Sequence, residues 1–281
     1  MPDDVFARER QNDIARIVEE LGRARVTGLA DRFGVSAVTI RKDLVVLERE
    51  QRLLRTHGGA IALEQRAPER AFEVRERLHR SEKIAIGRAA ADLVTDGESI
   101  ALDASTTALY VARALKARGG WHQVTVMTNG LRIASELSGV PGLAVAVPGG
   151  WVRWEARSVV GGLGEAVFGR INIQKAFVGS AGFTIESGLS DASEEEALMK
   201  RAMVNAAREV IAIVDHTKWG RTAVATFCPT TGITRVLTDS RANPEMVATL
   251  RGLSIDVRLL TAEADSPARP DLDATAITPL H

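Results

Sequence analysis

Asp103-Ala104-Ser105-Thr106-Thr107 places three consecutive hydroxyls directly ahead of Ala108 to Lys116, a segment that reads as a helix. Hydroxyls beside the free N–H groups and positive dipole end of a helix suit a phosphate or another small anion, and the competing reading is that Ser105 or Thr106 only caps the helix. Asp103 would repel a phosphate, so its expected role is to accept hydrogen bonds from sugar hydroxyls or loop amides. A cation stands in Asp215-His216-Thr217-Lys218-Trp219-Gly220, where Lys218 either neutralises an anionic ligand or is a solvated surface lysine. Thr128-Asn129-Gly130, Pro148-Gly149-Gly150 and Gly179-Ser180-Ala181-Gly182 are further polar, glycine-bearing loops, although turn chemistry alone explains each glycine. Ser193 and Glu196 have capping-box spacing, and Glu194, Glu195 and Glu196 read mostly as solvated residues matched to a helix dipole. Asp191 or Glu194 can still reach ligand hydroxyls from that loop.

A second chemistry lies near the N-terminus. In Ser36-Ala37-Val38-Thr39-Ile40-Arg41-Lys42-Asp43-Leu44, Ser36 can cap a helix whose Ile40, Leu44 and Leu47 recur at i, i+4 and i+7, so one stripe faces a core. The other face presents Ala37, Val38, Arg41 and Lys42, a surface suited to a DNA major groove, where arginine and lysine reach phosphates or guanine edges. Arg8 to Leu21 reads as an amphipathic first helix and Val26 to Phe33 as a short second one, with Gly34 as the turn. Leu53 to Ile61, containing Gly58-Gly59, reads as a hairpin that would carry Arg55 and His57 as a wing.

No catalytic set accompanies these motifs. The five histidines (His57, His79, His122, His216, His281) are spread without metal-ligand spacing, and neither a P-loop nor a Gly-x-Ser-x-Gly elbow occurs. No metal or cofactor is expected. A nicotinamide-dependent enzyme is disfavoured because no Gly-x-Gly-x-x-Gly follows the first strand of the second half.

The elements that must position the loops follow from hydropathy. Beyond Glu98, apolar strands alternate with helical segments, the pattern of an α/β domain on a largely parallel sheet. The expected strands are Ser99 to Leu102, Val124 to Thr128, Leu143 to Val147, Ala176 to Gly179, Val210 to Val214, Val236 to Thr238 and Ile255 to Leu260. In such sheets ligands bind beyond the carboxyl ends of the strands, where the hydroxyl loop and its companions would fall. Ser81 is expected to cap a helix running to Leu93.

The N-terminal residues resemble the DeoR family of bacterial transcriptional regulators. The signature stands here as Arg10, Ile14, Val18, Ser36, Thr39-Ile40-Arg41-Lys42-Asp43-Leu44 and His57-Gly58-Gly59-Ala60. The resemblance continues through Asp103-Ala104-Ser105-Thr106-Thr107, Thr128-Asn129, Gly149-Gly150, Glu196 to Met203 and Asp215 to Gly220, and so covers nearly the whole chain. It implies a winged helix-turn-helix domain followed by an open α/β sensor domain similar to ribose-phosphate isomerase and CoA-transferase-like folds. It also implies double-stranded operator DNA as partner, a sugar phosphate or related anionic metabolite as effector, and most often repression. The family loop is Asp-Ser-Gly-Thr-Thr, so Ala104 and Ser105 are departures, and loss of the glycine is expected to restrict the loop. A sugar-phosphate isomerase carrying a DNA-binding module is the alternative reading.

Composition sets the bounds. The 281 residues are 45% hydrophobic with formal net charge zero, which is ordinary for a soluble protein of more than one domain. Residues 1–66 hold twelve Lys/Arg against eleven Asp/Glu, a net of +1, so DNA affinity must come from local cations multiplied by a homo-oligomer, a dimer or tetramer. The single cysteine, Cys228, rules out an intrachain disulfide; with no apolar window of about twenty residues and the acidic start Met1-Pro2-Asp3-Asp4, a cytoplasmic protein without a membrane span is expected. The expected organisation is a DNA-binding domain over 1–62, a partly helical linker over 63–80 with Pro68, a self-sufficient sensor domain over 81–262 and a disordered tail over 263–281.

Overall fold

The computed structural model describes residues 2–21, 23–50, 52–56, 58–61 and 72–262. His57, the first half of the expected linker (63–71) and the tail lie outside the described residues. The chain divides into two compact units, residues 1–70 and 71–281.

In the first unit, α1 (Pro2–Leu21), β1 (Arg23–Arg25), α2 (Val26–Phe33), α3 (Ala37–Arg49), β2 (Leu54–Thr56) and β3 (Gly59–Ile61) follow one another, and the strands form an antiparallel sheet in the order β1-β3-β2. The expected stripe is the core: Ile40, Leu44 and Leu47 of α3 meet Ile14, Ile17 and Val18 of α1 and Val26 and Leu29 of α2. Gly34 ends α2 in the left-handed region at φ 64°. This is a winged helix-turn-helix, with a third strand that three residues of sequence, two of them arginine, do not announce.

The second unit is built on a seven-stranded parallel sheet. In chain order its elements are α4 (Phe72–Arg77), α5 (Arg80–Ala91), β4 (Ser99–Leu102), α6 (Thr106–Arg118), β5 (Val124–Thr128), α7 (Leu131–Leu137), β6 (Leu143–Ala146), β7 (Trp151–Arg153), β8 (Ser158–Val160), α8 (Gly162–Phe168), β9 (Ile173–Val178), β10 (Gly182–Thr184), β11 (Gly188–Asp191), α9 (Glu194–Ala206), β12 (Ala207–Ile213), β13 (Ala225–Cys228), β14 (Arg235–Asp239), α10 (Pro244–Gly252) and β15 (Asp256–Leu260). The sheet order is β15-β14-β12-β9-β4-β5-β6. Its members are the seven strands expected from hydropathy, with β9 and β12 each starting three residues earlier.

Both faces of the sheet are covered, which is why its strands read as apolar runs. Side chains alternate between two cores. Ile100, Leu102, Val124, Val126, Phe177, Ile211, Ile213 and Leu237 meet α5, α6 and α7, while Ala101, Met127, Ala176, Val178, Val210, Ala212 and Val236 meet α8, α9 and α10.

The chain winds from β4 through β5 to β6, then returns to β9 and winds the other way through β12, β14 and β15. The direction reverses between β4 and β9, the topological switch point where open α/β sheets bind ligands. Two small sheets escaped the sequence reading, the hairpin β7–β8 and the antiparallel set β10-β11-β13. Their strands are three or four residues long, too short for an alternation to register.

One expected cap is corrected. α5 begins at Arg80 behind His79, which has φ 52° and makes no side-chain cap, and Ser81 Oγ instead donates to Glu82 Oε2 at 3.0 Å. The start is fixed from within α5 by Lys83, whose Nζ donates to the carbonyls of Arg75 and Leu78.

Candidate DNA-binding face and effector crevice

Ser36 is the N-cap of α3, its Oγ accepting from Thr39 N at 3.1 Å and lying 2.9 Å from Thr39 Oγ1. Burying Ile40, Leu44 and Leu47 turns Ser36, Val38, Arg41 and Lys42 outward, and all four are exposed, while Ala37 and Thr39 are half-buried at the edge of that face. Asp43 is buried, paired at 2.7 Å with Arg10 and accepting from Gln11 Nε2 at 2.9 Å. The acid in the middle of α3 therefore ties α3 to α1 and is neutralised by Arg10. Arg55 on the wing strand β2 pairs with Glu48 of α3 at 2.7 Å, holding Glu48 below the usual carboxylate range. That pair is exposed, so exchanging it for a phosphate costs little.

In the second unit the expected loops gather on one edge of the sheet. Asp103 follows β4, Thr128 and Asn129 end β5, Gly179 and Ser180 follow β9, and Asp215 follows β12. Asp103 is wholly buried at the switch point, where its Oδ2 accepts from Gly179 N at 3.0 Å and its Oδ1 from Ser105 Oγ at 2.7 Å. A Cβ on Gly179 would stand 2.5 Å from Ser105 Oγ, so this approach requires glycine. Ser105 is also the N-cap of α6, accepting from Ala108 N at 3.1 Å, with φ −72° and ψ 154°. That conformation is open to any residue, so the departure from the family's glycine brings no strain; the restriction expected for the loop is not there. Thr106 and Thr107 lie buried in the first turn of α6.

The residue that sequence reasoning missed is Lys200 of α9. It is buried, and its Nζ lies 2.9 Å from Asp103 Oδ2, 2.7 Å from Asp191 Oδ2 and 3.0 Å from the Gly179 carbonyl. Burial opposes its charge, but Asp103 and Asp191 outweigh burial and hold its pKa above the ordinary lysine value. Desolvation likewise opposes ionisation of Asp191, and Lys200 keeps that carboxyl below its usual range. Glu196, one turn earlier, corrects a second expectation. Ser193 caps α9 through Glu196 N, yet the Glu196 side chain is buried rather than solvated. It accepts from Ser158 Oγ, from Arg153 Nη1 at 3.1 Å and from Asn129 Nδ2 at 3.4 Å, and burial raises its pKa. A Glu and a Lys four residues apart on one helix ordinarily mark an exposed pair, and here the spacing puts both on the face that enters the crevice.

Two polar atoms on this floor, Asn129 Oδ1 and Ser180 Oγ, are buried without a hydrogen-bond partner among the described residues. Buried unsatisfied groups cost about 1–3 kcal/mol each and call for an explanation. Thr128 Oγ1, by contrast, is used by Gly130 N at 3.0 Å.

The remaining expected residues take varied places. Gly150 has φ 146° and a Cβ there would lie 2.3 Å from the Val160 carbonyl, so this glycine is required by the β7–β8 hairpin, with Gly149 exposed beside it. Gly182 pairs with Ser190 in the β10–β11 ladder. Glu194 is exposed in the first turn of α9. Asp215 caps a short turn, accepting from Thr217 N at 2.9 Å, and Lys218 closes that turn, near enough to lower the Asp215 pKa against the opposing effect of burial. Lys218 and the hydroxyl loop lie at the ends of β12 and β4, two strand spacings or about 10 Å apart across β9.

Lys83, beneath this edge, is 3% exposed, and burial lowers its pKa to about 8. The folded state therefore sheds this proton before the unfolded chain does. Between about pH 8 and the ordinary lysine pKa of about 10.4 the unfolded state binds more protons, so stability rises with pH across that window. Urea titrations should show the parent gaining up to about 3 kcal/mol over Lys83→Met between pH 8 and pH 10.5. Parallel pH curves for the two proteins would reject the assignment.

Comparison with known proteins agrees with the two-unit architecture. Residues 10–66 match the DeoR-like helix-turn-helix domain and residues 78–240 the DeoR C terminal sensor domain. The chain is 36% identical over 253 residues to the uncharacterized HTH-type transcriptional regulator YulB of Bacillus subtilis, covering 90% of this chain and 96% of that one. It is 32% identical over 239 residues to the HTH-type transcriptional repressor GlcR of Bacillus subtilis, covering 85% and 91%. A partial likeness to ribose 5-phosphate isomerase A of Methanocaldococcus jannaschii has 16% identity, a TM-score of 0.36 and coverage of 49% and 53%. The relatives are named as regulators, and nothing favours the enzymatic alternative. Among the described residues no helix is long and apolar enough to cross a membrane. One unit thus matches the family's helix-turn-helix domain and the other its sensor domain, and the chain belongs to the DeoR family of helix-turn-helix transcriptional regulators.

Proposed function

We propose that this chain is a cytoplasmic repressor of a sugar-metabolism operon, binding operator DNA as a homo-oligomer and releasing or engaging it in response to a sugar phosphate. Ser36, Ala37, Val38, Thr39, Arg41 and Lys42, with Arg55 of β2 and His57, form the DNA-contacting set. The observation that carries the effector reading is the pair of unpartnered polar atoms, Asn129 Oδ1 and Ser180 Oγ, on a floor where Asp103, Asp191 and Glu196 surround a single ammonium, Lys200. Such a floor is rich in acceptors and suits the hydroxyls of a sugar, each of which both donates and accepts. The same carboxylates repel a phosphate, which is accommodated instead toward Lys218 and the first turn of α6 at Thr106 and Thr107. Relatives named as repressors, GlcR of Bacillus subtilis and the putative aga operon transcriptional repressor of Escherichia coli O157:H7, support the direction of control.

A thermal-shift screen of sugar phosphates tests this reading, because a ligand at 100 times its Kd stabilises the folded state by about 2.7 kcal/mol. At least one member should raise the melting temperature and change operator affinity. Lys218→Met should raise the concentration required about tenfold or more, the effect of losing one charge-assisted contact, with operator affinity in the absence of effector unchanged. A panel in which no sugar phosphate shifts melting, or a Lys218→Met protein that responds like the parent, would overturn the reading.

A further inference from the structure

The hairpin β7–β8 touches Glu196 through its closing pair, Arg153 and Ser158, and helix α4 through the turn beyond that pair. On the crevice side, Arg153 Nη1 and Ser158 Oγ donate to Glu196, Asn129 Nδ2 donates to the Val159 carbonyl at 3.2 Å, and Val159 N donates to the Asn129 carbonyl at 2.8 Å. In the turn, Phe72 N donates to the Glu155 carbonyl at 3.0 Å, and the Arg157 guanidinium pairs with Glu73 through Nε at 3.0 Å and Nη2 at 2.9 Å. Phe72 and Glu73 are the first residues of α4, which begins two residues after Arg70, the last residue of the DNA-binding unit. One short hairpin therefore links Asn129 and Glu196 to the point where the chain enters the sensor unit.

Strand β8 is buried, with Ala156, Val159 and Val160 covered, whereas β7 and the start of the turn are held by these polar contacts more than by a core. Trp151, Val152 and Trp154 are 81%, 59% and 68% exposed, and Arg157 lies flat over the Trp154 ring at 3.6 Å. Segments with few buried apolar contacts open at low free energy, so β7 and the turn at Trp154 can change position while β8 stays packed and the sheet is undisturbed. We propose that the β7–β8 hairpin transmits the state of the crevice to α4, with Glu196 and Arg153 as the contact on the effector side and Arg157 and Glu73 as the contact on the linker side. The inference rests on the effector reading above for its biological meaning, but the mechanical link is a property of the chain alone. A sugar hydroxyl that donates to Glu196 competes with Arg153 and Ser158 for the same oxygens. Effector binding and hairpin position then share one free energy, which is what coupling requires.

Hydrogen exchange on the full chain separates the link from the ligand. Glu196→Gln, without any effector, should speed exchange about fivefold or more in residues 151–160 and also in residues 72–78, while the buried strands keep parent rates. Arg153→Gln, at a more exposed position, should do the same and serves if the first variant does not fold. Arg157→Gln should speed exchange in residues 72–78 and leave residues 194–200 as in the parent. A second arm uses glucose 6-phosphate as the probe, which should slow exchange in residues 72–78 of the parent but not of Arg157→Gln, at equal melting shifts. A hairpin that loosens while residues 72–78 keep parent rates would overturn the link, as would equal protection in Arg157→Gln. Failure of every sugar phosphate to bind would sink the effector reading and leave the effector-free result to decide the link by itself.

Discussion

Lys200→Met is expected to cost the sensor unit about 3 to 5 kcal/mol, the largest single effect in the molecule. Removing the ammonium leaves Asp103 and Asp191 buried at the switch point, each having lost the partner that made its burial tolerable. A neutral methylene chain fills the space but cannot satisfy the carboxylates or the Gly179 carbonyl, which accepts from the same Nζ. The melting temperature of the unit should fall by about 10 °C, with helix α3 and its unit unaffected. Adding Asp103→Asn to Lys200→Met should recover part of the loss, since one of the two stranded charges is then gone, and the difference measures the coupling. A Lys200→Met protein within about 1 kcal/mol of the parent would mean that water or rearrangement satisfies the carboxylates, and that the triad is not what holds the crevice together.

Arg41→Ala should weaken specific DNA binding by about 1 to 3 kcal/mol, roughly fivefold to 150-fold, without loss of stability. The side chain is exposed and takes no part in the Ile40, Leu44 and Leu47 core or the Arg10–Asp43 pair, so the fold has no reason to respond. Competition binding on a duplex selected by the parent protein from a random library gives the affinity, and its salt dependence gives the kind of contact. If Arg41 reads a base, tolerance should relax at one position of the duplex. If it holds a phosphate, all sequences should weaken together and the salt slope should fall by about one. Unchanged binding in a folded Arg41→Ala, Lys42→Ala protein would place the DNA-contacting face elsewhere.

The DNA-binding half of this protein was legible because its signals are local. Ser36 caps α3 through an amide three residues away, and the stripe that buries Ile40, Leu44 and Leu47 also decides that Arg41 and Lys42 are outside. The seven strands of the parallel sheet were legible for a related reason. Burial on both faces demands continuous apolar runs, and a run of five such residues announces itself without its neighbours. The loops at the strand ends follow from the strands, so Asp103, Asn129, Ser180 and Asp215 could be gathered on paper.

What the sequence determined by itself was therefore the set of elements, the outward face of α3 and the edge of the sheet at which the polar loops gather, because each depends on residues a few positions apart. Only the tertiary structure decided the charges of the crevice. Lys200 meets Asp103 across almost a hundred residues, and Glu196 meets Ser158 and Arg153 on a hairpin too short to show a period. Whether a glutamate at a helix start is solvated or buried depends on which helix face the sheet covers, and that depends on the order in which strands pair. Spacing along the chain carries no record of that order, so the acceptor-rich floor, the Lys200 ammonium and, among the described residues, the unpartnered Asn129 Oδ1 and Ser180 Oγ became visible only when β9 lay beside β4.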